Sequence, residues 1–302
     1  LASSAASDVY KRQEIRQVGI TESMNFRLNA SYQLDANNSI GANFDFLRNP
    51  KESWDGGMYS SILQDEALSE NSYSHIDFFW QKSNLSSNVY YVGKIGKLGI
   101  DFNTDWLWSK DCQNDVTEEQ YKEAGMDVRN QTAHSLTNKN NHLFASKLEL
   151  TYPLLGGELS LGGEYSNTHR NSKYQVEPTD LVSDDDSRIT ESMTSSFLTY
   201  SRDFGNLSVE AGLRYEYIDF SYYEYGKYMP EQSKSYGNWF PSLSLSMPVG
   251  KVQMQLSYAA DINRPSYQNL RSGIQYDNRY TYETGNPFLV SEISRNLNYV
   301  SI

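Results

Sequence analysis

Between residues 207 and 217 the chain keeps a single rule. Leu207, Val209, Ala211, Leu213, Tyr215 and Tyr217 take alternate positions, and Ser208, Glu210, Gly212, Arg214 and Glu216 fill the places between. Successive side chains of a strand point to opposite faces, so a period of two marks a strand whose faces meet two different surroundings. The rule recurs at 24–34 (Met24, Phe26, Leu28, Ala30, Tyr32, Leu34), 40–46 (Ile40, Ala42, Phe44, Phe46), 98–108 (Leu98, Ile100, Phe102, Thr104, Trp106, Trp108), 148–152 and 252–262. The constraint is severe, because a one-residue slip would turn every apolar side chain to the wrong side.

The alternating runs are joined in pairs by short turns: Asp35-Ala36-Asn37-Asn38, Gly93-Lys94-Ile95-Gly96-Lys97, Leu155-Gly156-Gly157, Asp203-Phe204-Gly205-Asn206 and Met247-Pro248-Val249-Gly250-Lys251. These residues tolerate tight-turn backbone angles. Five hairpins and a last single run at 291–302 make about eleven strands. Between hairpins the alternation lapses, and long polar loops are expected at 49–86, 109–141 and 170–190, with a Tyr-rich loop around Tyr222, Tyr223, Tyr225 and Tyr228. Ile76, Phe78 and Trp80 alternate within the first of these and predict a small strand inside it.

Strand length separates the two environments such a pattern could serve. Strands of soluble sandwiches and propellers average about 5–6 residues, whereas these run to about ten, the length that crosses a bilayer. Short turns at one end and long connections at the other are the arrangement of outer-membrane barrels. Tyr32, Trp106, Trp108, Tyr215, Tyr217 and Trp239 lie near run ends, where such barrels carry aromatic girdles. The expected fold is therefore all-β, an antiparallel transmembrane β-barrel with its apolar face on lipid. Arg27, Glu149, Glu210, Arg214 and Glu216 then face a wet lumen. No apolar run approaches the ~18 residues of a membrane helix. A formal net charge of -12 argues against nucleic acid, whose binding surfaces are basic. Cys112 is the single cysteine, and Asp111 and Asp115 beside it oppose thiolate formation.

One further stretch carries a resemblance. Arg264-Pro265-Ser266-Tyr267 with Leu270, then Tyr282-Glu283-Thr284-Gly285-Asn286-Pro287 and Leu289, resembles the barrel of TonB-dependent outer-membrane receptors of the Bacteroidetes type. Gly212-Leu213-Arg214-Tyr215-Glu216 and Phe240-Pro241-Ser242-Leu243 are similar to that family's strand motifs. Where the family has Pro-Glu after Gly-Asn-Pro-x-Leu, this chain has Ser291-Glu292. The resemblance implies a 22-stranded barrel around a plug, of which this chain supplies about half the strands. The resemblance covers residues 21–302, a partial barrel domain; residues 1–20 are an uninformative segment, since their small, polar start has no apolar signal-peptide core. The plug and TonB-contacting segment are expected to lie elsewhere, as is the aromatic barrel C-terminus.

The chemistry-bearing residues form no catalytic set. No nucleophile, base and orienter fall together, so no enzyme is expected. His75, His134, His142 and His169 lack metal-ligand spacing. Asp184-Asp185-Asp186 lacks the spaced pattern of a calcium loop. No catalytic residue, metal or cofactor is assigned, and ligand-binding residues are not identified, although the tyrosines of 215–228 offer the flat amphipathic surface that suits rings. The resemblance implies a bacterial outer-membrane importer of a bulky scarce solute, a siderophore, corrinoid or glycan. Its partners would be outer-membrane lipid, the TonB energy-transducing complex through the plug, and a surface lipoprotein. The alternatives are a passive porin or surface adhesin barrel, and a soluble all-β carbohydrate-binding module.

Overall fold

The computed structural model describes residues 9–64, 67–123 and 126–301. Its strands are β1 (Val9–Asp35), β2 (Asn38–Gln64), β3 (Ala67–Ile95), β4 (Leu98–Glu123), β5 (Arg129–Leu154), β6 (Gly157–Glu177), β7 (Asp185–Phe204), β8 (Leu207–Glu224), β9 (Lys227–Tyr228), β10 (Lys234–Val249), β11 (Val252–Asn263), β12 (Ile274–Asn278), β13 (Thr281–Thr284) and β14 (Glu292–Ser301). Eleven form one antiparallel meander in the order β1-β2-β3-β4-β5-β6-β7-β8-β10-β11-β14, with β9 paired to β8 and β12-β13 a separate hairpin. The all-β antiparallel fold and the strand number agree with the alternation in the sequence. Residues 1–8, part of the segment set aside as uninformative, lie outside the described residues. Val9 onward is already paired with β2.

All five short turns fall where their residues predict. At Leu155-Gly156 both residues have positive φ, 52° and 76°, the left-handed pair that matches the twist of a two-residue hairpin.

The registers carry the two faces across the sheet, with an extra residue in β2 between Asn49 and Glu52 that exchanges the faces of its alternate positions. Phe102 pairs with Leu148, and Trp106 with Phe144. Leu198 pairs with Leu213, and Leu243 with Tyr258. On the opposite, inner face Asn103 pairs with Lys147, and Phe197 with Arg214. The outer face is exposed and apolar near the turns, with Phe26, Leu28, Phe102, Leu148, Leu213 and Leu256 among its members. An apolar patch of that extent is intolerable in water and suits lipid. Tyr152 and Phe144 bound it on β5, eight residues apart, or about 26 Å at ~3.3 Å per residue. In the upper belt Tyr215 packs on Trp239 at 4.7 Å. Its ring lies against the backbone of Gly237, where a Cβ would stand 2.2 Å from the tyrosine hydroxyl.

The stretches expected as loops are strands. β2 continues to Gln64 and β3 begins at Ala67, so 49–86 is a long hairpin, and Ile76, Phe78 and Trp80 belong to the middle of β3 rather than to a small separate strand. Likewise 109–141 forms the outer parts of β4 and β5, and most of 170–190 those of β6 and β7. With 29 residues, β3 extends over about 95 Å, roughly three times the ~30 Å hydrocarbon thickness. Above the upper belt both faces meet water, so the apolar–polar contrast disappears while the backbone ladder continues. Polar cross-strand contacts serve there, such as Trp108 Nε1 donating to Asn140 Oδ1 at 3.0 Å.

Candidate functional site

One long connection leaves the plane of the sheet. After Asn263 the chain crosses the inner face above the belt, folds into β12-β13, and returns at Glu292. Its closure explains the Gly-Asn-Pro motif. Asn286 N–H donates to the Asn269 carbonyl at 2.6 Å. A Cβ on Gly285 would stand 2.6 Å from that same oxygen and 2.7 Å from the Arg271 carbonyl, so only glycine allows the crossing.

The loop is seated by apolar packing at one end and buried hydrogen bonds at the other. Leu270 closes a core of Ile189, Ile218, Phe220 and Tyr222, inner-face residues of β7 and β8. Tyr222 is fully buried. Its hydroxyl meets Ser272 Oγ at 2.9 Å and accepts the Ser272 N–H at 3.2 Å. Tyr267 donates to Glu191 at 3.0 Å. Farther along, Glu119 of β4 is 1% exposed. It accepts from Ser74 Oγ at 3.1 Å, from Arg279 N–H at 3.1 Å and from the Tyr276 hydroxyl. Burial pushes the Tyr276 hydroxyl up, and its bond to Glu119 pushes it further, so it remains a donor. Tyr280 donates to Glu70, and the Arg279 guanidinium stacks 3.5 Å over Tyr121 while pairing with Glu70 and Glu123 at 3.4 and 3.5 Å.

One buried charge opposes this seating. Burial holds the Asp115 carboxyl up at about 6; hydrogen bonds from Gln113 and Ser135 lower it, and Asp277 on β12 raises it. Burial and Glu283 also raise Asp277, while Arg271 lowers it. A folded-state value above the usual carboxylate range means that the folded form binds the proton more tightly. Stability is therefore gained as pH falls through about 6 and lost above it. Loop resistance to protease is expected to rise between pH 7.5 and pH 5. Asp115→Asn should raise it at pH 7.5 by roughly 1–3 kcal/mol and flatten the pH dependence; an unchanged pH profile in the variant would refute the assignment.

Beside the loop-covered floor the inner face opens into an aromatic hollow of about 420 Å³. Trp54, Phe78 and Trp80 form its walls, each ring edge-on to the next at 6.4 and 6.2 Å between centroids. Gly56 contributes no side chain, which leaves the space, and Gln17 and Glu52 line it as polar groups. A hollow of this volume, apolar with a few polar groups, is the usual form of a small-molecule site. The available sign in the sequence was Ile76, Phe78 and Trp80 at period two within an otherwise polar stretch.

The residues singled out in the sequence are dispersed. Tyr215 and Tyr217 stand on the outer face in the belt, Tyr222 lies buried beneath the loop, and Tyr223 meets Tyr228 edge-on at 5.5 Å, so the tyrosines form no single surface. Asp184 accepts the Val176 N–H at 3.2 Å, Asp185 accepts from Ser187, and Asp186 pairs with Lys173 at 2.9 Å. His142 and His169 are cross-strand neighbours. His75 meets Asp77 at 3.7 Å, and with Asp55 the three offer ligand atoms within 4.8 Å of one another, a juxtaposition made by strand pairing and invisible in spacing. Cys112 is half-buried.

A meander with a lipid-facing apolar band, a polar inner face and strands rising far above the membrane defines an outer-membrane β-barrel protein. The model of the outer membrane protein beta-barrel family matches residues 93–300, more than two thirds of the chain, and the chain belongs to that family. It resides in the bacterial outer membrane, and its family comprises barrels rather than enzymes. Among solved structures it is similar to the ferric-catecholate import receptor Fiu from E. coli K12, with 8% identity and a TM-score of 0.55 over 98% of this chain and 55% of that one. It is also similar to the copper transporter OprC, with 9% identity and a TM-score of 0.50 over 98% of this chain and 51% of that one. The chain spans about half the length of the structures it matches, and at these identities the likeness shows the fold. Comparison with curated protein sequences finds no match.

Proposed function

We propose that this chain is the barrel portion of a TonB-dependent receptor that imports a bulky scarce solute, a siderophore, corrinoid or glycan, with plug and energy coupling supplied outside residues 1–302. A surface lipoprotein would assist capture. The observation that carries the reading is the hollow of Trp54, Phe78 and Trp80, which lies on the inner face above the lipid band, where a solute arriving from outside would first be held. Its flat apolar walls suit a ring-bearing solute. Among the described residues β1 and β14 are each paired on one side only, and strands outside this chain would complete them, because an open edge in lipid costs several kcal/mol per unsatisfied group. A loop laid across the inner face weighs against a permanently open porin.

The test is solute uptake by cells and solute binding by the purified full-length receptor. Trp54→Ala combined with Trp80→Ala should weaken binding about 30-fold or more, the ~2 kcal/mol of a central aromatic contact. Trp239→Ala, in the lipid-facing belt, should leave it unchanged. Uptake should also stop in cells lacking TonB. Uptake that persists without TonB would overturn the proposal, as would equal binding by the double variant.

A further inference from the structure

We infer that Lys139, Arg170 and Arg271 form a site for a small inorganic anion of chloride size, buried between the 264–291 loop and the sheet. The three cations come from three separate places in the chain, β5, β6 and the loop, and line one enclosed hollow together with Ser172, Ser187 and Gln268. Its free space is about 10 Å³, room for one water-sized body.

Charge identifies the occupant. Among the described residues no carboxylate comes within ion-pair distance of Lys139 or Arg170, but Asp111 attracts both from farther off, and Arg271 is ion-paired with Glu283 at the edge of the hollow. Asp111, the cross-strand neighbour of Lys139, keeps Oδ1 buried and without a partner. Arg271 is 8% exposed. It donates to Gln275 and lies 3.4 Å from Glu283 through Nη2. Its Nε and Nη2 nonetheless find no hydrogen-bond acceptor. Arg170 is fixed 5.8 Å from the centre of the Tyr267 ring. Burial holds the Lys139 ammonium below its ordinary range, Arg170 and Arg271 add to the effect, and Asp111 and Glu283 oppose it. Like charges packed this closely repel and leave donors unsatisfied; a water accepts from two of those donors but leaves the charge in place. One monovalent anion accepts from the guanidinium groups, the ammonium and the serine hydroxyls together. Because Arg271 and Gln268 belong to the loop and the other groups to the sheet, a bound anion also fastens one to the other.

The test uses the full-length receptor in detergent and follows protease cleavage within 264–291 in sodium chloride and in sodium gluconate at equal ionic strength. Gluconate is too large for the hollow. Chloride should slow cleavage at least several-fold relative to gluconate, and Arg170→Gln and Lys139→Met should each abolish the difference. Heat-modifiable migration confirms that the variants are folded. Crystals soaked in sodium bromide provide an independent readout, with one anomalous peak expected among the three cations. Equal protection by gluconate would overturn the inference, as would a chloride effect retained in both variants or an empty hollow at saturating bromide.

Discussion

Glu119→Leu is expected to release the 264–291 loop while leaving the barrel strands intact. The substitution removes one buried carboxylate and strands three donors, the Tyr276 hydroxyl, the Arg279 N–H and Ser74 Oγ. Hydrogen bonds to charged groups contribute about 1.5–3 kcal/mol each, and a buried donor left without its acceptor costs about 1–3 kcal/mol. Loop opening should therefore become at least a hundredfold more frequent. Limited proteolysis measures it, with new cleavage confined to 264–291 and heat-modifiable migration unchanged. Glu119→Gln, which keeps an acceptor of the same shape, should fall between the two. Cleavage at the wild-type rate in the leucine variant would mean that the Leu270 and Tyr222 packing seats the loop alone.

Leu148→Arg should cost about 2–4 kcal/mol of folding stability in bilayers, the charge for a cation near the middle of the lipid face of a barrel. Leu136→Arg is its internal control. Both residues lie on β5 and on the same outer face, and their cross-strand partners on β4 are Phe102 and Asn114. The backbone, the substitution and the direction of the side chain are alike, and only the surroundings differ. Leu136→Arg should stay within about 0.5 kcal/mol of wild type, as surface substitutions usually do. Folding titrations into lipid vesicles compare the two, and equal costs would place the hydrocarbon boundary wrongly.

The same contrast explains which parts of the architecture were legible in the residues. Leu148 and Leu150 against Lys147 and Glu149 announce two solvents, as do most runs that cross the band; Val89-Tyr90-Tyr91-Val92 of β3 and Phe197-Leu198 of β7 do not alternate. Above the band, Asn138 and Lys139 are neighbours with opposite directions and similar polarity, so nothing in the letters distinguishes strand from loop. That is why the outer parts of β2 to β7 read as loops. The site residues were hidden for a related reason. Trp54 meets Phe78, Asp55 meets Asp77, and Lys139 meets Arg170 and Arg271, in each case through pairing or loop placement across dozens of positions. The tyrosines of 215–228 illustrate the converse, since proximity in sequence placed them on opposite faces.

Alternation, turn chemistry and the girdle residues sufficed to determine an antiparallel, lipid-spanning sheet of about eleven strands, because a local period of two is imposed directly by the difference between lipid and water. Gly285-Asn286-Pro287 was visible as a motif, but its purpose was not. Only the tertiary structure decided that the 264–291 loop lies across the inner face, held by Glu119, Tyr222 and Leu270, and that an aromatic hollow and a cluster of three cations lie beside and beneath it. Those features depend on contacts between residues as far apart as Glu70 and Tyr280, and no local pattern encodes a contact whose partner lies two hundred residues away.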